Sequence, residues 1–174
     1  MDFSKDERGR QFQPEFHEWE VQSSRIRDQY DIPRSANPWT SSGAKMHGVP
    51  QSARILDVLD CAWAIHRKHC PPEATTAEIA NTLWVDLATA VGRKPWSEGY
   101  PGVFRQNSMV YSFHADAVLS GAARMQLMGW PASSFPRRIE DSLLRQMCGE
   151  CFSLPLCAFL HLCLYCNPYG EWWG

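Results

Sequence analysis

The chain has 174 residues, of which 44% are hydrophobic and 21% charged, so it is long enough to bury a core and fits one soluble domain with a loose end. Its formal net charge of −2 excludes global attraction to a polyanion, and any contact with DNA has to be local or borrowed from a partner. The first residues, MDFSKDERGRQFQ, hold no apolar stretch of a secretory signal, and the longest apolar run, residues 152–165, is shorter than the roughly 20 residues a membrane span requires. The expectation is a protein inside the cell with no membrane segment, where its seven cysteines stay reduced or bind metal.

In chain order, residues 1–50 are polar and interrupted by Pro14, Pro33, Pro38, Gly43, Gly48 and Pro50. They read as a mostly extended, partly disordered segment, with one candidate amphipathic helix through Phe16, Trp19, Ile26 and Tyr30. Residues 52–69 change character, because Ile55, Leu56, Leu59, Ala62, Trp63 and His66 recur at helical steps until Pro71-Pro72 stops them. Thr75 followed by Glu78 has the form of a capping box, so a short helix starts there and yields to a strand over residues 83–87. A second strand is expected over 109–113, rich in β-branched and aromatic side chains. Three helices follow: 120–128 stopped by Gly129, 137–147 with Gly149 as its C-terminal cap, and one after Ser153 that accepts Pro155 in its first turn. The expected fold is therefore helix-rich, α/β or α+β, with a minor sheet, and residues 51–174 form its single domain.

Two cysteine pairs, Cys148-x2-Cys151 and Cys163-x2-Cys166, have a spacing that could close a four-cysteine zinc site. They flank what reads as one buried helix, which at 1.5 Å per residue holds the pairs about 15 to 20 Å apart. Buried thiols are the preferred reading, and a zinc module is kept as an alternative. His66, His69 and Cys70 cluster at the end of the first long helix, where basic side chains suit the helix dipole. The chain has no Gly-rich phosphate loop, Gly-x-Ser-x-Gly elbow or His-Glu-x-x-His motif.

The run from Val118 to Pro131, VLSGAARMQLMGWP, resembles the penultimate block of DNA cytosine-5 methyltransferases, a helix opened by Leu-Thr/Ser and closed by Leu-x-Gly-Phe/Trp-Pro. Further on, Gly149-Glu150-Cys151-Phe152-Ser153-Leu154-Pro155 and the apolar run after it are similar to the family's last block. Upstream, Gly48-Val49-Pro50-Gln51-Ser52 with Arg54 resembles in part the Gly-Val-Pro-Gln block that precedes the target-recognition region. The resemblance implies the tail of a class I methyltransferase domain. Gly149, Glu150, Ser153 and Pro155 would edge an S-adenosylmethionine pocket, while Gln51, Arg54, Gly129, Trp130 and Pro131 support the substrate region.

It also implies a nuclear protein whose partners are DNA or a catalytic methyltransferase half. The departures are equally specific. No cysteine follows a proline, so the family's Pro-Cys nucleophile is missing, as are its Glu-Asn-Val acid and Phe-x-Gly-x-Gly-Gly cofactor loop. Without a nucleophile to add to cytosine C6 and an acid near N3, the covalent route is closed. The expectation is a fragment inactive alone, its cofactor implied by resemblance only; the alternative is a non-catalytic interaction module docking through Trp19, Tyr169, Trp172 and Trp173.

Overall fold

The computed structural model describes residues 18–131, 133 and 139–150. Among them are five α-helices and one four-stranded antiparallel sheet, a helix-rich α+β fold. The helices are α1 (Glu18–Gln29), α2 (Ala53–His69), α3 (Thr76–Thr82), α4 (Gly121–Leu127) and α5 (Asp141–Glu150). The strands are β1 (Leu83–Asp86), β2 (Trp96–Glu98), β3 (Val110–Ser112) and β4 (Ala117–Val118), in the order β2-β1-β3-β4.

Helix α2 forms where its apolar period predicts, and its ends follow from local chemistry. The Ser52 side chain accepts the Ile55 N–H, and His66, Arg67, Lys68 and His69 fill the last turn. Its buried face, Val58, Leu59, Ala62, Trp63 and Ile65, packs with Leu83 and Val85 of β1, Tyr111 of β3 and Phe113 just beyond it. The predicted capping box is complete, with Thr75 and Glu78 bonding each other's backbone.

The candidate helix through Trp19 and Ile26 forms as α1, but the mostly extended, partly disordered reading of residues 18–50 needs correction. They send Ile26, Ile32, Trp39 and Val49 into the same core, so the core does not begin at residue 51. Trp39 and the residue after it are tied down by buried polar partners. Asp60 accepts the Trp39 N–H at 2.8 Å, the Thr40 N–H at 2.9 Å and the Thr40 hydroxyl at 2.7 Å. The Trp39 indole packs at a tilt against Trp63, with ring centroids 4.6 Å apart, and donates to the Tyr111 oxygen at 3.0 Å. Tyr111 in turn donates to Asp116 at 2.5 Å, and burial together with this bond pushes the phenol's pKa upward. Trp39 therefore joins the polar segment, α2 and the sheet through one side chain.

Candidate functional site

A second, smaller core takes in part of the run 118–131. Met125, Leu144 and Cys148 are buried there, with Phe104, Ala122, Met128, Trp130, Ile139 and Met147 packed around them. Ser120 caps α4 by accepting the Ala123 N–H. At the other end Gly129 takes φ +89°, its N–H bonds the Gln126 carbonyl at 2.9 Å, and the Trp130 N–H folds back to Met125 at 3.0 Å. This paired bonding is a Schellman stop, and it requires a residue without a Cβ penalty at position 129.

Helix α5 approaches α4 at a glycine. A Cβ on Gly121 would meet the Asp141 carbonyl oxygen and the Leu144 Cβ at 2.6 Å each. Asp141 fastens the contact from the first turn of α5, accepting the Gly121 N–H at 2.5 Å and the Arg145 Nε at 2.6 Å. Gly121→Ala is expected to force the helices apart at a cost of about 1–3 kcal/mol, typical of overpacking. Urea unfolding checks this, and a wild-type midpoint would mean that α4 and α5 are not so closely packed.

The expected helix 137–147 is displaced: α5 starts at Asp141, and Gly149 lies inside it rather than capping it. Its reason for being glycine is a second close approach, because a Cβ there would overlap the backbone of Arg105 and Gln106. Glu150 is the last residue of α5. Ser153, Pro155, Cys151, Cys163 and Cys166 lie outside the described residues, as does the helix expected after Ser153. Cys148 is buried with its sulfur against Met128. Among the described residues, no three or more His, Cys, Asp or Glu side chains are placed so that they could hold a metal ion.

Gln51 and Arg54 act locally: Gln51 donates to the Val49 carbonyl at 3.1 Å, and Arg54 to that of Leu87 at 3.1 Å. Their segment is nonetheless tied to the α4 lead-in. The His47 N–H bonds the Asp116 carbonyl at 3.0 Å, the Val118 N–H returns to the His47 carbonyl at 2.9 Å, and Gly48 faces the Val118 side chain. Gly48, Gly129, Trp130 and Gly149 thus lie along one chain of contacts running from residue 47 through β4 and α4 to α5.

Beside this unit a cavity of about 340 Å³ is lined by Gly102, Val103, Phe104, Leu127, Met128 and Cys148, among others. Its rim is apolar and open: Val103 is 86% exposed and Leu127 51%. The sequence offered no signal for this groove, since residues 99–108 form no periodic element. Nor did it flag Arg124, which is fully buried with none of its three guanidinium nitrogens bonded among the described residues. Burial and the nearby Arg145 push its pKa downward.

In comparisons with known proteins, the chain matches no family model, no curated protein and no solved structure.

Proposed function

We propose that this chain is the closing segment of a DNA cytosine-5 methyltransferase-type domain, inactive alone and completed by a catalytic half. The observation that carries the reading is contiguity. Three segments with the family's motif character, around residues 48–54, 118–131 and 149–155, the last described only as far as Glu150, are far apart in sequence. They are linked in space by the His47–Val118 backbone bonds and the Gly121–Asp141 contact. Glycines at 121, 129 and 149 are each demanded by geometry, two by close approach and one by a positive φ.

In this reading Gly129, Trp130 and Pro131 support the recognition region, and Gln51 and Arg54 do so through their bonds to the Val49 and Leu87 carbonyls. Gly149, Glu150, Ser153 and Pro155 edge the S-adenosylmethionine pocket, where the Glu150 carboxylate adds a negative charge, and the chain alone holds no cofactor. The catalytic half supplies the Pro-Cys nucleophile and the Gly-rich loop, and the assembly works on nuclear DNA. The open apolar rim at Val103 and Leu127 gives that half a surface to cover.

A second reading rests on the same rim. With Tyr100 69% exposed beside Val103, the groove also suits a non-catalytic interaction module. Trp19, proposed for such docking, is half-buried, while Tyr169, Trp172 and Trp173 lie outside the described residues. Assay of labelled methyl transfer to cytosine-containing DNA separates the two, because the interaction module gives no transfer in any complex.

A further inference from the structure

Away from the α4 and α5 unit, one cluster gathers a thiol, two imidazoles and a carboxylate. His66 and His69 stand on the last turn of α2, and Cys70 is its C-cap. The pairing of β2 with β1 sets Glu98 opposite Leu83, and the Gly99 N–H locks that register by bonding the Thr82 carbonyl at 2.7 Å. Glu98 is thereby delivered to α2, with Oε1 3.1 Å from His66 Nδ1 and 3.7 Å from His69 Nδ1. On the opposite edge of the His66 ring, Nε2 lies 2.9 Å from Thr82 Oγ1 and 3.7 Å from Cys70 Sγ.

We propose that Cys70 is a reactive thiol for small uncharged electrophiles, with His66 as its base and Glu98 as the group that fixes the imidazole tautomer. His66 is 4% exposed, and its Nδ1 makes no directed hydrogen bond, so the Glu98 carboxylate acts on it as a charge. A negative charge beside Nδ1 favours the proton there, and Nε2 is then an acceptor shared by the thiol and the Thr82 hydroxyl, which otherwise donates to the Ile79 carbonyl at 3.2 Å. This arrangement is needed, because a thiol becomes a strong nucleophile only as a base takes its proton. Arg67 does not substitute for it, since its guanidinium is bound to the carbonyls of Pro72 and Ala74. Lys68 is likewise engaged, with the carbonyls of Tyr30 and Asp31.

Cys70 is partly exposed and opens on a groove of about 420 Å³ bounded by Pro71, Ile79 and Thr82. Glu73 and Glu78 also line that groove, so anionic reagents are repelled. Cys61 provides the internal contrast. It is fully buried, and burial reinforced by Asp57 pushes its thiol up to about 12.

With iodoacetamide the chemistry is a simple displacement. The Cys70 sulfur forms a bond to the methylene carbon as the carbon–iodine bond breaks, iodide leaves with the bonding pair, and the thiol proton passes to His66 Nε2. The site is independent of the methyltransferase reading. Its test is the rate of carbamidomethylation at pH 7, followed on the Cys70 peptide of the full chain by mass spectrometry.

Glu98→Gln, at a half-exposed position, is expected to slow Cys70 by about tenfold or more with the fold intact by circular dichroism. Thr82→Val is expected to speed it, because Nε2 then serves the thiol alone. Iodoacetate should lag iodoacetamide at Cys70 by more than it does at a free cysteine. Rates that match in the native chain, E98Q and the urea-unfolded chain overturn the proposal, as does a T82V chain no faster than wild type.

Discussion

Asp57→Ala is expected to destabilise the chain by about 3–5 kcal/mol, the cost of stripping a buried charge of its partner. Asp57 sits on α2 and holds α1 through two side chains. Arg27 reaches its Oδ1 through Nε at 2.9 Å and Nη2 at 2.8 Å, and the Ser23 hydroxyl takes Oδ2. Arg27 is 4% exposed, and burial alone would lower its pKa, yet the bonds and charge of Asp57 outweigh that and raise it. Its other contacts, to the carbonyls of Pro33 and Ala36, cannot neutralise the charge.

Arg27→Met combined with Asp57→Leu is expected to recover most of the loss, because the desolvation cost of both ions then disappears. Urea unfolding of the three variants decides the matter. A loss under about 1 kcal/mol for Asp57→Ala would mean that the pair behaves as a solvated surface ion pair and that α1 is not locked to α2.

Arg124→Met is expected to work in the opposite direction, stabilising the chain by about 1–4 kcal/mol. The Arg124 guanidinium is fully buried, and among the described residues none of its nitrogens is bonded. Asp86 and Asp141 exert some attraction, but both carboxylates are already engaged. Asp86 takes Arg105 at 2.7 Å and the Met109 N–H at 2.9 Å, while Asp141 holds Arg145 and the Gly121 N–H.

The positive charge of Arg145 adds repulsion. Methionine keeps much of the length and flexibility without the charge, so the packing of α4 on α5 survives. A thermal midpoint that falls in Arg124→Met would contradict the view that this guanidinium is unpaired in the folded chain.

Elements with local signals were legible in the sequence. The α2 period, the Thr75 and Glu78 capping box, the strands β1 and β3, and the Ser120 start and Gly129 stop of α4 depend on neighbours within a few residues. The edge strands β2 and β4 were not legible. They are three and two residues long, and pairing with β1 and β3 rather than alternation sets their extent.

The same physics hid the role of residues 18–50. Ile32, Trp39 and Val49 are single apolar anchors separated by turns, which leaves no period to read although each is buried. A late glycine is the usual helix stop, but the real neighbour of Gly149 is the backbone at Arg105 and Gln106, more than 40 residues earlier. His66 and Cys70 stood out as helical neighbours, but the carboxylate that completes their cluster comes from β2 through sheet register. Of the resemblance, the segments at 48, 118–131 and 149 are described, whereas Ser153 and Pro155 are not.

The central claim is that the α4 and α5 unit closes a methyltransferase domain whose chemistry resides elsewhere. It is tested by transfer of labelled methyl groups from S-adenosylmethionine to cytosine-containing duplex DNA, assayed on the purified chain and on the complex isolated through it. The account predicts background counts from the chain alone and incorporation at cytosine C5 from the complex. Incorporation by the chain alone, or none from either sample, would contradict it.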